Sequence, residues 1–254
     1  MACGSWRSTF GIFQLSTLCM VLPMDYQVLI VGGGFSGSEA AYALACRGVR
    51  VGLLTQSLDT VYLPFTPLPE PGPEGSLMAE VGAVGMKGWE LHAKAKYRLE
   101  GEPQLHLFQS SATRLVLEGR RVVGVETWEG PRRMASRVVL ALGSFLMPRL
   151  TIGDVVEEAG RLSEAAYPDL YENLLALGFS FVDQHAEVAA QDGTPGYSVR
   201  YKSFAPAEWE AESFRLGRLE GLYGLGLCVL GQGTYARMAS EGLRLAENFA
   251  VELG

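Results

Sequence analysis

The sequence is short of the residues that would make it a metalloprotein, a disulfide scaffold or a nucleic-acid binder in its own right. Four cysteines (Cys3, Cys19, Cys46 and Cys228) are scattered through 254 residues with no CxxC pair. That excludes a zinc ribbon or a dense disulfide framework and suits reduced cytosolic thiols. The three histidines, His92, His106 and His185, lie far apart without HxxxH spacing, so no metal site is predicted. Positive charge is scarce, with Lys+Arg 21 against Asp+Glu 28 and a net charge of -7. A molecule so charged repels a polyanion, and nucleic acid is not expected as a partner of this chain alone. The apolar run "FGIFQLSTLCMVL" near the start covers 13 residues, too few to cross a bilayer. With only Arg7 ahead of it and no small-residue cleavage site it reads poorly as a secretory signal. No membrane contact and a cytoplasmic location are expected. Because Met24 stands just before "DYQVLIVGGG", residues 1–23 are set apart as an extension, either from an upstream start codon or as a disordered arm.

Apolar residues and glycine are what the chain has in quantity. A hydrophobic content of 48% against 19% charged allows one sizeable core and a small second lobe, as in a globular α/β protein. The stretch "VLIVGGGFSGSEAAYALACRGVRVGLLTQ" carries the clearest signal. Val28 to Val31 are a continuous apolar strand, Phe35 to Arg47 repeat small and apolar residues at helical spacing up to Gly48, and Val49 to Leu54 read as a second buried strand. This β-α-β order is the unit of a doubly wound parallel sheet. Gly32, Gly34 and Gly37 fit GxGxxG in the required place: the first allows the tight turn, the second lets a pyrophosphate reach the main chain, and the third brings the helix onto the strand. Unpaired N–H groups and a partial positive charge at the helix start, around Phe35 and Ser36, predict a diphosphate there. The acidic residue expected about 20 positions on, to accept from ribose hydroxyls, is missing. Thr55, Gln56 and Ser57 stand in its place, and Asp59 lies too far along. That departure counts against a plain NAD-binding dehydrogenase.

Downstream, the five prolines of "YLPFTPLPEPGPEG" demand a loop. Ser76 is placed to cap a helix running to about Leu99, and "QLHLFQS" reads as a third strand. Between Thr113 and Leu142, three β-rich runs separated by Glu118-Gly119 and Glu129-Gly130 predict an antiparallel meander. Its last run, "VVLAL", has the character of a strand buried on both faces. A small inserted segment is expected at about 151–220, with a helix near Leu170 to Leu177 and strands around "FSFVDQ" and "YSVRYKSF". "GLYGLGLCVLG" is predicted as a final buried strand and Thr234 to Leu253 as a closing helix. The class is α/β, residues 24–254 forming one domain with a parallel central sheet and an antiparallel β-meander.

Four stretches, "GGGFSGSEAAYALACRGVRVGLLTQSLDT", "YRLEGEPQLHLFQSSATRLVLEGRRVVGVET", "RVVLALGSFLMPRLTIGD" and "GLYGLGLCVLGQGTYARMASEGLRLAENFA", make up about two fifths of the chain. In that order they resemble the glucose-inhibited division protein A family, FAD-dependent enzymes that modify the wobble uridine of tRNA, and their folate-dependent methyltransferase cousins. The resemblance implies an FAD/NAD(P)-binding Rossmann-like three-layer fold with FAD as cofactor. It implies that the glycine turn holds the diphosphate and that Thr55, Gln56 and Ser57 hold the adenosine ribose. Ser111, Ala112 and Thr113 would edge the adenine, and Ala141, Leu142, Gly143 and Ser144 would pass the diphosphate and ribityl chain. Gly231, Gln232, Gly233, Thr234 and Tyr235 would open the last helix toward the flavin. The chain departs from the full-length enzymes in having only a short middle segment and no helical tRNA-binding C-terminal domain. A proline-rich loop also replaces the family's cysteine-containing glycine-rich loop. The cofactor is therefore transferred and the tRNA reaction is not.

No side chain stands out as acid, base or nucleophile, so the catalytic residues stay unassigned. Cys228 lies near the expected flavin end, where a redox thiol and a small buried hydrophobe are the two readings. Arg120, Arg121, Arg132 and Arg133 sit at meander turns as solvated hairpin tips or phosphate contacts. The expected function is an FAD-binding flavoprotein of oxidoreductase type with unidentified electron donor and acceptor. The alternative is a non-catalytic flavin-binding or electron-carrying subunit, and both a homodimer and a partner subunit stay open.

Overall fold

The computed structural model describes residues 24–161, 164–190 and 195–253; the extension expected at residues 1–23 lies outside the described residues. The elements run β1 (Tyr26–Val31), α1 (Phe35–Ala45), β2 (Val51–Thr55), α2 (Leu77–Val81), α3 (Gly88–Glu100), β3 (Leu105–Gln109), β4 (Ala112–Glu118), β5 (Arg121–Thr127) and β6 (Arg132–Leu140). They continue with β7 (Arg149–Ile152), β8 (Val155–Glu157), β9 (Ala159–Arg161), β10 (Glu164–Ala165), α4 (Pro168–Ala176), β11 (Phe181–Val188), β12 (Tyr197–Phe204), β13 (Leu222–Gly224), α5 (Leu227–Leu230) and α6 (Tyr235–Leu253).

The parallel sheet has the order β3-β2-β1-β6-β13. β6 serves two sheets in turn: Arg132 to Met134 pair antiparallel with β5, and Ala135 to Leu140 pair parallel with β1. The predicted meander β4-β5-β6 is therefore fastened to the central sheet by one continuous strand. Strand alternation divides the core in two. Val28 and Ile30 face a layer built from α1, α3 and α6, while Leu29 and Val31 face the meander and α4. Three layers result: helices, parallel sheet, and meander with α4. A separate sheet of order β11-β12-β7-β8 closes its own small core around Leu150, Val199 and Tyr201.

Two expectations are corrected. The helix predicted from Ser76 to Leu99 is two helices. Ser76 does cap the first, its Oγ accepting from Ala79 N at 3.0 Å, but Gly82 turns extended at φ -92°, ψ 157° and ends α2 after five residues. The strand predicted over "GLYGLGLCVLG" is only β13, and Cys228 lies instead on the short α5. The cause is Gly226, which takes φ +73° and passes so close to α1 that a Cβ there would sit 2.6 Å from Ser36 Oγ.

Candidate cofactor site

The glycine turn is a close-packed object before any ligand is considered. Gly32 has φ +114°, and a Cβ on it would lie 2.2 Å from the Ala141 carbonyl oxygen. A Cβ on Gly37 would lie 2.0 Å from the Gly32 carbonyl oxygen. Both glycines let three pieces of backbone meet. Gly34 differs: a Cβ there would meet nothing within 4 Å, so this glycine faces open space at the start of α1. No side chain caps that start and no acidic residue occupies its first turn, which leaves its N–H groups and dipole facing the opening.

The opening is a cleft bordered by the glycine turn, the end of β2 and the Ala141–Ser144 segment. It collects Gly32, Gly34, Phe35, Ser36, Thr55, Gln56, Ser57, Ala141, Leu142, Gly143, Ser144 and Tyr235 of the residues expected from sequence. Gly37 stands behind the turn as a packing residue. Gly231, Gln232, Gly233 and Thr234 line a second cleft, which shares Phe65, Ser144, Leu227, Tyr235 and Met238 with the first. Ala112 is buried in the meander core, and Thr113 faces the opposite way, into a depression with Arg114, Glu126 and Trp128. Neither residue borders the cleft, and strand alternation puts their side chains on opposite faces of β4.

Several contacts that frame the cleft are set by the tertiary fold. Arg161 on β9 donates to the carbonyls of Leu63 and Pro64 at 2.8 Å each, and its guanidinium sits 4.8 Å from the centroid of Phe65. Glu164 on β10 lies 3.6 Å from Arg161 Nε; burial raises its carboxyl, opposed by Arg161 and a hydrogen bond from Thr60. The Tyr235 hydroxyl accepts from Phe65 N at 2.7 Å and Thr66 N at 3.1 Å, so the start of α6 holds the proline-rich loop. Phe35 is stacked on Tyr62 and tilted against Tyr235, with centroids 4.0 and 4.6 Å apart. Glu39 of α1 is fully buried and accepts from the Tyr62 hydroxyl and from Leu77 N and Met78 N at 2.8 Å each. A carboxylate on an otherwise small and apolar helix was the one signal in sequence that could have revealed it.

The other candidates lie elsewhere. His92 bonds the Val61 carbonyl, and His106 bonds Tyr26. His185 is at the second cleft, 3.4 Å from Glu187. The Cys228 thiol is buried and donates to the Leu140 and Leu225 carbonyls at 3.3 Å each. Burial pushes it up to about 11, against the reactive thiolate reading. Among the described residues no group of three or more His, Cys, Asp or Glu could hold a metal, and no helix is long and apolar enough to cross a membrane.

A parallel sheet whose glycine turn, Ala141–Ser144 segment and last helix border connected clefts defines a dinucleotide-binding flavoprotein fold. The family model described as "Glucose inhibited division protein A" matches residues 27–88 and 83–186. The chain belongs to the glucose inhibited division protein A family, and FAD is its cofactor. The crystal structure of the GidA-related protein from Thermus thermophilus superposes with a TM-score of 0.85 at 60% identity, covering 89% of this chain and 99% of that one. Aquifex aeolicus GidA, at 15% identity and a TM-score of 0.78 over 89% of this chain and 63% of that one, shares the fold. The tRNA uridine 5-carboxymethylaminomethyl modification enzyme MnmG of Chlamydia trachomatis is 33% identical over 189 residues, 62% of this chain and 31% of that protein. The chain thus spans about a third of the length of the curated relatives it matches.

The residues present fit FAD. Gly34 leaves an open cradle beside an uncapped helix start, and Gly143, at φ +57°, lets the return strand turn along the same cleft.

Proposed function

We propose that the protein is a cytoplasmic FAD-dependent oxidoreductase that holds its cofactor in the first cleft and takes its substrate in the second. FAD supplies hydride and electron transfer through its isoalloxazine ring. The observation that carries this reading is the junction of the two clefts at Phe65, Ser144, Leu227, Tyr235 and Met238. The start of α6 lies at this junction, where its partial positive charge favours an electron-rich group. Thr234 caps that helix through its Oγ1, which accepts from Arg237 N at 3.2 Å. Gly231 and Gly233 present bare backbone to the second cleft beside Gln232 and Thr234.

The relatives that modify tRNA uridines support a place near that chemistry, and a net charge of -7 leaves RNA contact to a partner or a local patch. A second reading, an electron-carrying subunit, is favoured by the first cleft itself. Its charged side chains, Arg161 and Glu164, are both engaged with the protein. The deciding experiment is anaerobic addition of NADH or NADPH to the purified holoprotein, with the oxidised flavin absorption followed in time. Bleaching supports the oxidoreductase. Inertness that is relieved only by adding a second protein supports the subunit.

A further inference from the structure

The end of β2 lacks the carboxylate that this kind of fold uses to grip a nucleoside sugar. Asp59, the nearest acidic residue along the chain, is exposed and does not border the cleft. Gln56 does, and its orientation is fixed by chemistry. Its Nε2 donates to the Ala166 carbonyl at 2.8 Å and to Ser111 Oγ at 3.1 Å, and a carbonyl can only accept. Its Oε1 is left as the acceptor.

The hydrogen bond to Ala166 ties the end of β2 to the β9–β10 hairpin, a connection across 110 residues of sequence. Two positions before Ala166 stands Glu164, the one carboxylate among the described residues that line the first cleft. It pairs across the hairpin with Arg161, and its side chain is 19% exposed. Arg161 in turn is locked by two backbone carbonyls and the Phe65 ring. The carboxylate is therefore carried on a braced hairpin rather than a free side chain.

We propose that Glu164, carried on β10 two positions before the Ala166 carbonyl that holds Gln56 and lining the same cleft, accepts the 2′- and 3′-hydroxyls of the cofactor's adenosine ribose. It would replace from another part of the chain the carboxylate absent after β2. The inference rests on the FAD assignment and adds to it the recognition of the sugar. An acceptor-only pair, Glu164 and Gln56 Oε1, suits a vicinal diol, which brings two donors. It also discriminates against a sugar that lacks one of them, because a half-buried carboxylate then loses a charge-assisted hydrogen bond.

The test uses the full-length apoprotein, FAD, and FAD built on 2′-deoxyadenosine, titrated by flavin fluorescence. Thermal melting of each apoprotein serves as the folding control. Wild type is expected to prefer FAD by about tenfold, and E164Q to bind the two ligands within about twofold of each other. A wild type with no preference overturns the proposal whether or not E164Q folds, and includes the case in which the carboxylate meets the ribityl chain instead. A folded E164Q that keeps the full preference overturns it as well. Failure of wild type to bind FAD at all overturns the cofactor assignment, which separates the two failures.

Discussion

The Tyr62 hydroxyl donates to the buried carboxylate of Glu39, joining the proline-rich loop to the cofactor helix. Tyr62 holds a left-handed backbone at φ 55°, and its N–H donates to the Gly33 carbonyl at 2.8 Å. A tyrosine in that region is strained, and these two hydrogen bonds retain it. The same carboxylate also receives two backbone N–H groups at the start of α2. One side chain thus fixes the loop, the helix that follows it and the first turn of the diphosphate cradle.

E39A strips the acceptor from the Tyr62 hydroxyl and two backbone N–H groups. The expected loss is about 3 kcal/mol of stability, because each orphaned buried donor carries its own desolvation cost. E39Q should lose less, since an amide oxygen still accepts while its NH₂ faces other donors. Urea denaturation of the two variants checks the order; equal stability of E39A and wild type would contradict the assigned role.

Gly34 and Gly37 separate ligand approach from packing. G34A has room in the protein and an ordinary backbone at φ -73°, so apoprotein stability should change by less than about 0.5 kcal/mol. The added methyl enters the cradle, and FAD affinity should fall by about tenfold or more. G37A places a Cβ on the Gly32 carbonyl and should fail to yield stable protein. Melting curves paired with FAD titration distinguish the two outcomes.

The glycine turn was legible because its pattern is local: Gly37 meets the Gly32 carbonyl within the β-α-β unit, although the backbone that Gly32 itself meets, at Ala141, lies just after β6, far along the chain. The meander was legible for the same reason, its turns marked by Glu118-Gly119 and Glu129-Gly130. Arg161 and Glu164 were not, because only the tertiary fold brings a hairpin about 100 positions away to the end of β2. The break at Gly82 and the early end of β13 escape a reading by apolar pattern, which continues there although the glycine backbone does not. Ala112 and Thr113 face opposite sides of β4, and neither side reaches the cleft, a placement that only the packing of the meander decides.

Y235F removes the acceptor for Phe65 N and Thr66 N while leaving the ring against Phe35. These N–H groups are partly covered, so the cost should be about 1 kcal/mol. The loss is expected to appear locally, as faster amide exchange at Phe65 and Thr66 than at the β1 amides. Unchanged exchange at those two positions would show that the loop is held by other contacts.

Cys228 is expected to behave as a small apolar residue. Its thiol is driven up to about 11 by burial, so little thiolate forms at neutral pH. Alkylation of native protein followed by peptide mapping should modify exposed Cys46 and leave Cys228 unmodified until denaturant is added. C228A should leave the rate of flavin reduction within about twofold of wild type. A large drop in that rate with unchanged FAD binding would restore the redox reading.

Acid should weaken the link between Glu208 and Arg218. Arg218 donates to both Glu208 carboxylate oxygens at 2.7 and 3.1 Å, and Ser180 N donates at 3.0 Å. The arginine hydrogen bond is the chief reason the Glu208 carboxyl lies below its ordinary value of 4.5, with burial opposing it. Because the folded value is depressed, the folded state binds fewer protons than the unfolded state near that pH. The stabilisation is therefore complete above about 4.5 and is lost as pH falls through the folded value. E208Q should flatten that part of the acid limb in thermal melts run from about pH 6 to about pH 3, although it lowers stability at neutral pH. A variant whose acid slope matches wild type would place the acid sensitivity on other carboxylates.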